Sequence, residues 1–264
     1  MTLTATPLFV IAGPCVIESA DQCLRIAEHV KSACDKLGLT YVFKASFDKA
    51  NRSSTDSFRG PGIDAGLAVL DTVKRQLGLP VLTDVHEPGQ AAAVGQVVDI
   101  LQVPAFLARQ TDLLQACGRT GKTVNIKKGQ FMSPQEMRLA IDKVAAVGNA
   151  DVLLTERGTF FGYNRLVNDF TGLAVMRSFG KPVVFDVTHS TQQPAGLGGS
   201  SGGNPQYAPL LARAAVAAGV DGLFIECHPD PKNAKSDAAT VLDLTVVEPL
   251  LRSCRQIADL RSTW

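Results

Sequence analysis

What this 264-residue chain lacks narrows it before any motif is read. It has no run near the roughly 20 uncharged apolar residues that a membrane-spanning helix needs, and its start lacks the basic residues of a signal peptide. A cytoplasmic location with no membrane partner is therefore expected. Charge of one sign is not in excess either: 26 Lys and Arg against 25 Asp and Glu leave a formal net charge of +1, which disfavours nucleic acid as a partner. No GxGxxG follows the first apolar run, so the dinucleotide-binding reading is weakened. The six cysteines, Cys15, Cys23, Cys34, Cys117, Cys227 and Cys254, form no CxxC pair. That argues against a disulfide framework or a zinc finger and for a reducing compartment, with most of them serving as small apolar fillers. LFVIAGPC resembles a lipoprotein cleavage site, but no cations precede it and Pro14 stands before the cysteine, so it reads as a first buried strand.

What is present is regular. With 45% hydrophobic residues the chain can bury one large core. Short runs rich in Val, Ile, Leu and Phe alternate with helical stretches, without a linker or low-complexity segment. Eight candidate strands are 8 to 14, 40 to 46, 81 to 86, 99 to 105, 123 to 129, 152 to 158, 182 to 189 and 222 to 228. Eight such units in a chain near the ~250 residues usual for the architecture predict an α/β fold, a single-domain (β/α)8 TIM barrel over 1 to 264, rather than an open sheet.

In that architecture chemistry gathers at the carboxyl ends of the strands. Here those ends carry Cys15 with Glu18, Lys44, Asp84 with His86, Lys127 with Lys128, Glu156 with Arg157, Asp186 with His189, and Glu226 with His228. Simple turns favour Gly, Asn, Asp and Ser instead, so an active site is expected at this face. His29, away from it, reads as a helix-surface residue. Three connections there, 47 to 60, 190 to 203 and 229 to 238, exceed the usual two to six residues and suit lids or ligand grips.

Two chemistries separate among these residues. VFKASFDKANRSS at 42 to 54 runs an apolar strand into a loop crowded with donors, Lys44, Lys49, Asn51, Arg52, Ser53 and Ser54. Lys44, Lys49 and Arg52, with Arg109, Lys127 and Arg157, make too many cations for one phosphate, which points to two anionic substrates or one with two anionic ends. Cys15, His189, Glu226 and Asp237 offer one thiolate, one imidazole and two carboxylates from the first, seventh and eighth units, neighbours when a barrel closes. Such a set suits one divalent ion, Zn, Fe(II), Mn or Co, without choosing among them. The competing reading packs Cys15 inside and leaves His189 and Glu226 to acid–base work.

The segments VFKASFDKANRSS, RGPG, TDVHE, PAFLARQTDL, NIKKGQF, TERGTFFGY, FDVTH and FIECHPDP, in this order, resemble the 3-deoxy-D-manno-octulosonate 8-phosphate synthases over nearly the whole chain. KANRSS at 49 to 54 is the specific piece; the sister 3-deoxy-D-arabino-heptulosonate 7-phosphate synthases characteristically have KPRTS there. The resemblance implies condensation of phosphoenolpyruvate with D-arabinose 5-phosphate and release of inorganic phosphate, with the heptulosonate synthase reaction or a non-catalytic phosphosugar-binding barrel as alternatives. It implies that Lys127 and Arg157, with backbone at Ala105, hold the phosphoenolpyruvate phosphate, and that Lys44 and Lys49 approach its carboxylate. Asn51, Arg52 and Ser53 would meet the pentose phosphate. Arg109 would reach it from an adjoining subunit of a homotetramer. Asp84, His86 and Gln130 would line the reacting centre. The family has metal-dependent members with Cys and metal-independent members with Asn at position 15, so Cys15, together with His189, Glu226 and Asp237, implies the metal-dependent form.

Overall fold

The computed structural model describes residues 3, 6–50, 57–196 and 201–261. Eight parallel strands form its centre: β1 (Phe9–Gly13), β2 (Thr40–Lys44), β3 (Val81–Asp84), β4 (Ile100–Val103), β5 (Thr123–Lys127), β6 (Val152–Glu156), β7 (Val183–Asp186) and β8 (Gly222–His228). Each pairs with the next in sequence, and β8 returns to β1 with Phe9 opposite Gly222 and Gly13 opposite Glu226. The sheet therefore closes, and the predicted (β/α)8 barrel is the fold. The helices α1 (Ala20–Leu37), α2 (Ile63–Leu77), α3 (Ala91–Val97), α4 (Thr111–Arg119), α5 (Met137–Ala145), α6 (Phe170–Arg177), α7 (Ala208–Ala217) and α8 (Leu244–Arg261) alternate with the strands.

Local chemistry explains the elements. In α1 the buried residues Cys23, Ile26, Ala27, Val30, Ala33 and Cys34 recur at helical spacing, giving one apolar face toward the barrel. Ser19 caps its start by accepting from the Gln22 N–H, and Gly38 ends it at φ 61°, where a side chain would be strained. His29 lies exposed on this helix, as expected, and shares a 3.0 Å hydrogen bond with the Leu244 carbonyl. Among the described residues no helix is long and apolar enough to cross a membrane.

Alternation along the strands makes the barrel two-layered inside. Ile11, Val42, Leu82, Ile100, Leu153, Val184 and Phe224 fill the lower interior together with Phe9 and Leu3. Two residues further along each of those strands stand Gly13, Lys44, Asp84, Gln102, Thr155, Asp186 and Glu226, because side chains two apart share a face. On β5 the same face carries Asn125 and Lys127. An apolar plug thus supports a polar floor.

The strands are shorter than the apolar runs from which they were read. β3 stops at Asp84, β4 at Val103 before Pro104, and β7 at Asp186. His189 consequently sits on a one-turn 3-10 helix, His189–Thr191, and Ala105 on another, Ala105–Leu107. Proline lacks the N–H needed to continue a ladder, which accounts for β4. A fourth long connection, 157 to 169, adds to the three expected ones; it folds as a small antiparallel ribbon, Thr159–Phe160 against Leu166–Val167.

At Gly13 the backbone of β1 passes so close to β2 that an added β-carbon would lie 2.0 Å from the Lys44 carbonyl oxygen. Gly13→Ala should therefore destabilise the barrel by at least about 1–3 kcal/mol through forced backbone movement. Chemical denaturation is the check, and a midpoint equal to that of the unsubstituted protein would contradict this packing.

Candidate active site

A cleft of about 670 Å³ opens at the carboxyl ends of the strands, directly above the polar floor. Lys44, Lys49, Asp84, His86, Ala105, Lys127, Gln130, Arg157, His189, Glu226 and Asp237 all line it. Residues from seven of the eight units, all but the first, are thus brought together by closure of the sheet, although they span nearly 200 positions of sequence. Cys15 is buried beside Asp237 with its Sγ 3.0 Å from Oδ2. Arg109 is exposed and outside the cleft lining. Asn51, Arg52 and Ser53 lie outside the described residues. Lys128 and Glu156, read as part of the polar rim, face each other instead at 3.6 Å in the wall, where Lys128 also donates to the Met132 carbonyl and to Thr159 Oγ1. His228 likewise turns aside, toward Glu18 and Gln22.

Most of the charges in the floor are paired. Lys44 Nζ donates to Glu226 Oε1 at 2.5 Å and to the Cys15 carbonyl at 2.9 Å, with both side chains buried. Lys127 Nζ lies 2.6 Å from Asp186 Oδ2 and over the face of Phe224. Lys49 Nζ is 3.7 Å from Asp84 Oδ2. Arg157 differs: its guanidinium is buried and donates to the neutral Gln192 side chain at 2.6 Å, and among the described residues no carboxylate lies within 4.0 Å of it. A buried cation with no carboxylate in contact is costly.

The neighbours decide the protonation of these groups. Burial would raise the Asp84 carboxyl, but Lys49 and Lys44 outweigh it and hold Asp84 well below the carboxylate range. Burial and nearby cations compete in the same way at Glu226, where Lys44 and His189 bring it down to about 2. At His189 burial is overcome by Asp186 and Glu226, which raise the imidazole, whereas at His86 burial prevails and lowers it. Burial, then Asp237 and Glu226, push the Cys15 thiol up.

Cys15, Glu226 and Asp237 place one ligand atom each within 4.8 Å of one another. His189 stands at the edge of this trio, with Nε2 3.6 Å from both Glu226 Oε2 and Asp237 Oδ2. Those separations exceed hydrogen-bond length, and Glu226 Oε2 is buried with no hydrogen-bond partner among the described residues. Asp237 adopts φ 50°, a conformation that Asp tolerates better than most residues and that sets its carboxylate in the group. An orphaned carboxylate oxygen, a thiol crowded by carboxylates and an imidazole nitrogen converging on one point fit a divalent ion of borderline softness.

A belt of hydrogen bonds absent from the sequence reading ties the other side of the floor. Ser46 donates to Asp84 at 2.5 Å, Gln102 to Asp84 at 2.5 Å, Asn125 to Gln102 at 2.8 Å and Thr155 to Asn125 at 2.7 Å. Its signal was the polar residue two positions after each apolar one on β3, β4 and β6. Ser236 Oγ lies 2.9 Å from Cys15 Sγ, and Gln192, which nothing in the sequence singles out, bridges Arg157 and Asp237.

Comparison with known proteins completes the picture. A family profile described as DAHP synthetase I family matches residues 4–262. The chain belongs to this family. Within it, the chain is 56% identical over 245 residues to a 2-dehydro-3-deoxyphosphooctonate aldolase of Desulfatibacillum aliphaticivorans, covering 93% of this chain and 90% of that protein. Proteins of the same name from Magnetococcus marinus, 54% identical over 97% of this chain and 89% of theirs, and from Xanthomonas oryzae pv. oryzae, 55% identical over 95% and 91%, are similarly close.

The Glu226 carboxyl, lowered in the folded state, contributes stability that is full above its ordinary 4.5 and is lost as pH falls through about 2. Glu226→Gln in metal-free protein should lose about 3 kcal/mol at neutral pH, because Lys44 is left buried and unpaired, and should show a shallower decline between those two pH values. An equally steep acid decline in the variant would remove Glu226 as its source.

Proposed function

We propose that this chain condenses phosphoenolpyruvate with D-arabinose 5-phosphate and water, forming 3-deoxy-D-manno-octulosonate 8-phosphate and inorganic phosphate for lipopolysaccharide biosynthesis. The product is the compound that the names of its relatives give under an alternative nomenclature. The observation that carries the reading is Arg157, a buried guanidinium facing the cleft without a carboxylate, beside the lysines expected for the same phosphate. Those relatives' names also favour this reaction over the heptulosonate synthase alternative.

The chemistry follows from charge movement. The enol carbon of phosphoenolpyruvate bonds to the aldehyde carbon of the pentose, water adds at the adjacent carbon, and phosphate departs with the former C–O electrons. Lys127 and Arg157, with backbone at Ala105, are assigned to the phosphate and neutralise it as it leaves. Lys44 and Lys49 are assigned to the carboxylate end. Five cations, Lys44, Lys49, Lys127, Arg157 and Lys235, against three carboxylates, Asp84, Glu226 and Asp237, among the described lining residues suit two anionic substrates. His86, kept neutral by burial, has an Nδ1 without a partner among the described residues and can hydrogen-bond the sugar aldehyde or a hydroxyl. Asp84, held ionised by Lys49 and Lys44, accepts hydrogen bonds rather than protons, and Gln130 Oε1, without a partner among the described residues, can accept from substrate or water. Cys15, His189, Glu226 and Asp237 are the proposed ligands of one divalent ion, Zn, Fe(II), Mn or Co, which supplies a Lewis acid for the aldehyde when bound. Holding two anions in register removes several kcal/mol of entropic barrier, on the order of 7–11 at best.

Asn51, Arg52 and Ser53 are assigned to the pentose phosphate. Arg109 is assigned to the same group in a neighbouring subunit of a homotetramer; its exposure supports this, as do Phe106, Phe131, Phe161 and Tyr163, exposed aromatics on the connections after β4, β5 and β6. Sedimentation equilibrium at a monomer mass would sink the tetramer. The assigned location is the cytoplasm.

Phosphate release tests the reaction directly. With phosphoenolpyruvate, arabinose 5-phosphate should support turnover and erythrose 4-phosphate should not. Exhaustive chelation should abolish that turnover and added divalent metal restore it. Full turnover by verified metal-free protein would overturn the metal assignment, and tight binding of both substrates with no phosphate released would revive the non-catalytic barrel.

A further inference from the structure

One buried carboxylate has no part in the reaction as assigned. Asp186, the last residue of β7, is fully buried and does not line the cleft. Its Oδ1 accepts from the His189 backbone N–H at 2.9 Å and from Thr188 Oγ1 at 3.2 Å. Its Oδ2 meets two groups at once, Lys127 Nζ at 2.6 Å and His189 Nδ1 at 2.8 Å. A single oxygen therefore touches the amine assigned to the substrate phosphate and the ring whose other nitrogen faces Glu226 and Asp237.

We propose that Asp186 is a positioning residue with two outputs: it holds His189 in the Nδ1–H tautomer, aiming the Nε2 lone pair at the Cys15, Glu226 and Asp237 group, and it seats Lys127 at the base of the cleft. The second output rests on the phosphoenolpyruvate reading; the first does not.

The chemistry requires an acceptor on both sides. A carboxylate only accepts, whereas an ammonium only donates and a neutral imidazole donates from one nitrogen. Lys127 is fixed from its other side by Phe224, whose ring centroid lies 3.6 Å from Nζ. His189 gains a third constraint from its own backbone bond to Oδ1, so that carboxylate, ring and main chain form one rigid unit. An amide at 186 breaks the arrangement whichever way it turns. With its NH2 in place of Oδ2, it repels Lys127 and can bond His189 only if Nδ1 accepts, which moves the ring proton onto Nε2, toward the two carboxylates. With its NH2 in place of Oδ1, it opposes the His189 N–H.

The test is Asp186→Asn. Metal-stripped protein titrated with Co2+ and followed by visible absorption should bind about 10–100-fold more weakly than the unsubstituted protein. In phosphate-release kinetics the KM for phosphoenolpyruvate should rise roughly tenfold or more, the scale of one lost charged hydrogen bond, with that for arabinose 5-phosphate changed by less. Should the variant fail to melt cooperatively, 15N-histidine spectra of unsubstituted, metal-free protein with neutral imidazoles decide the first output, since His189 must then carry its proton on Nδ1. Unchanged Co2+ affinity, or a His189 proton on Nε2, would overturn the proposal. An unchanged KM for phosphoenolpyruvate would overturn its Lys127 half. If the unsubstituted protein releases no phosphate at all, it is the reaction that fails, and the Co2+ titration and the spectra still judge Asp186.

Discussion

A buried ammonium and a buried carboxylate, Lys44 Nζ and Glu226 Oε1, meet at 2.5 Å on the floor of the barrel, and the site depends on that contact. Neither group could enter a dry interior alone. Together they bring the end of β2 and the end of β8 into one constellation across β1, where Gly13 leaves room for the approach and the Cys15 carbonyl accepts from the same ammonium. The pair also leaves Glu226 Oε2 without a hydrogen-bond partner among the described residues, turned toward His189. One interaction thus stabilises the floor and leaves one carboxylate oxygen for the proposed ion.

The apolar plug beneath makes this possible. Phe9, Ile11, Val42, Leu82, Ile100, Leu153, Val184 and Phe224 exclude water from below, so charges above interact in a medium of low polarisability, where each is worth more than in solution. The same dryness explains why unmatched groups are informative. Among the described residues Arg157 has no carboxylate and His86 Nδ1 and Gln130 Oε1 have no hydrogen-bond partner, and these are the atoms proposed to meet substrate. A surface loop with the same residues would carry no such message, since water would satisfy them.

Much of this was legible in the sequence for a physical reason. Parallel strands buried on both faces are continuous apolar runs, so eight units and closure could be counted, and Lys44, Asp84, Lys127, Arg157 and Glu226 stood out as charges at the ends of such runs. The boundaries were less legible. His189 continued an apolar run on paper, yet the ladder ends at Asp186 because the chain must turn to place the ring beside Glu226. Lys128 and Glu156 were indistinguishable from their site-facing neighbours, because a shift of one residue on a strand reverses the face. The belt from Ser46 through Asp84, Gln102 and Asn125 to Thr155 joins neutral residues on separate strands, and only closure of the sheet makes them neighbours.

The central claim is that the balanced floor is built to receive one cation and one phosphate at adjacent points. Anomalous diffraction from crystals grown with Zn2+ and phosphoenolpyruvate tests it most directly. The account predicts one zinc peak within about 2.0–2.3 Å of Cys15 Sγ, His189 Nε2 and the Glu226 and Asp237 carboxylates, and a phosphate group held by Arg157 and Lys127. Zinc bound elsewhere while those four residues remain free of it, or a phosphate that leaves Arg157 unpaired, would contradict it.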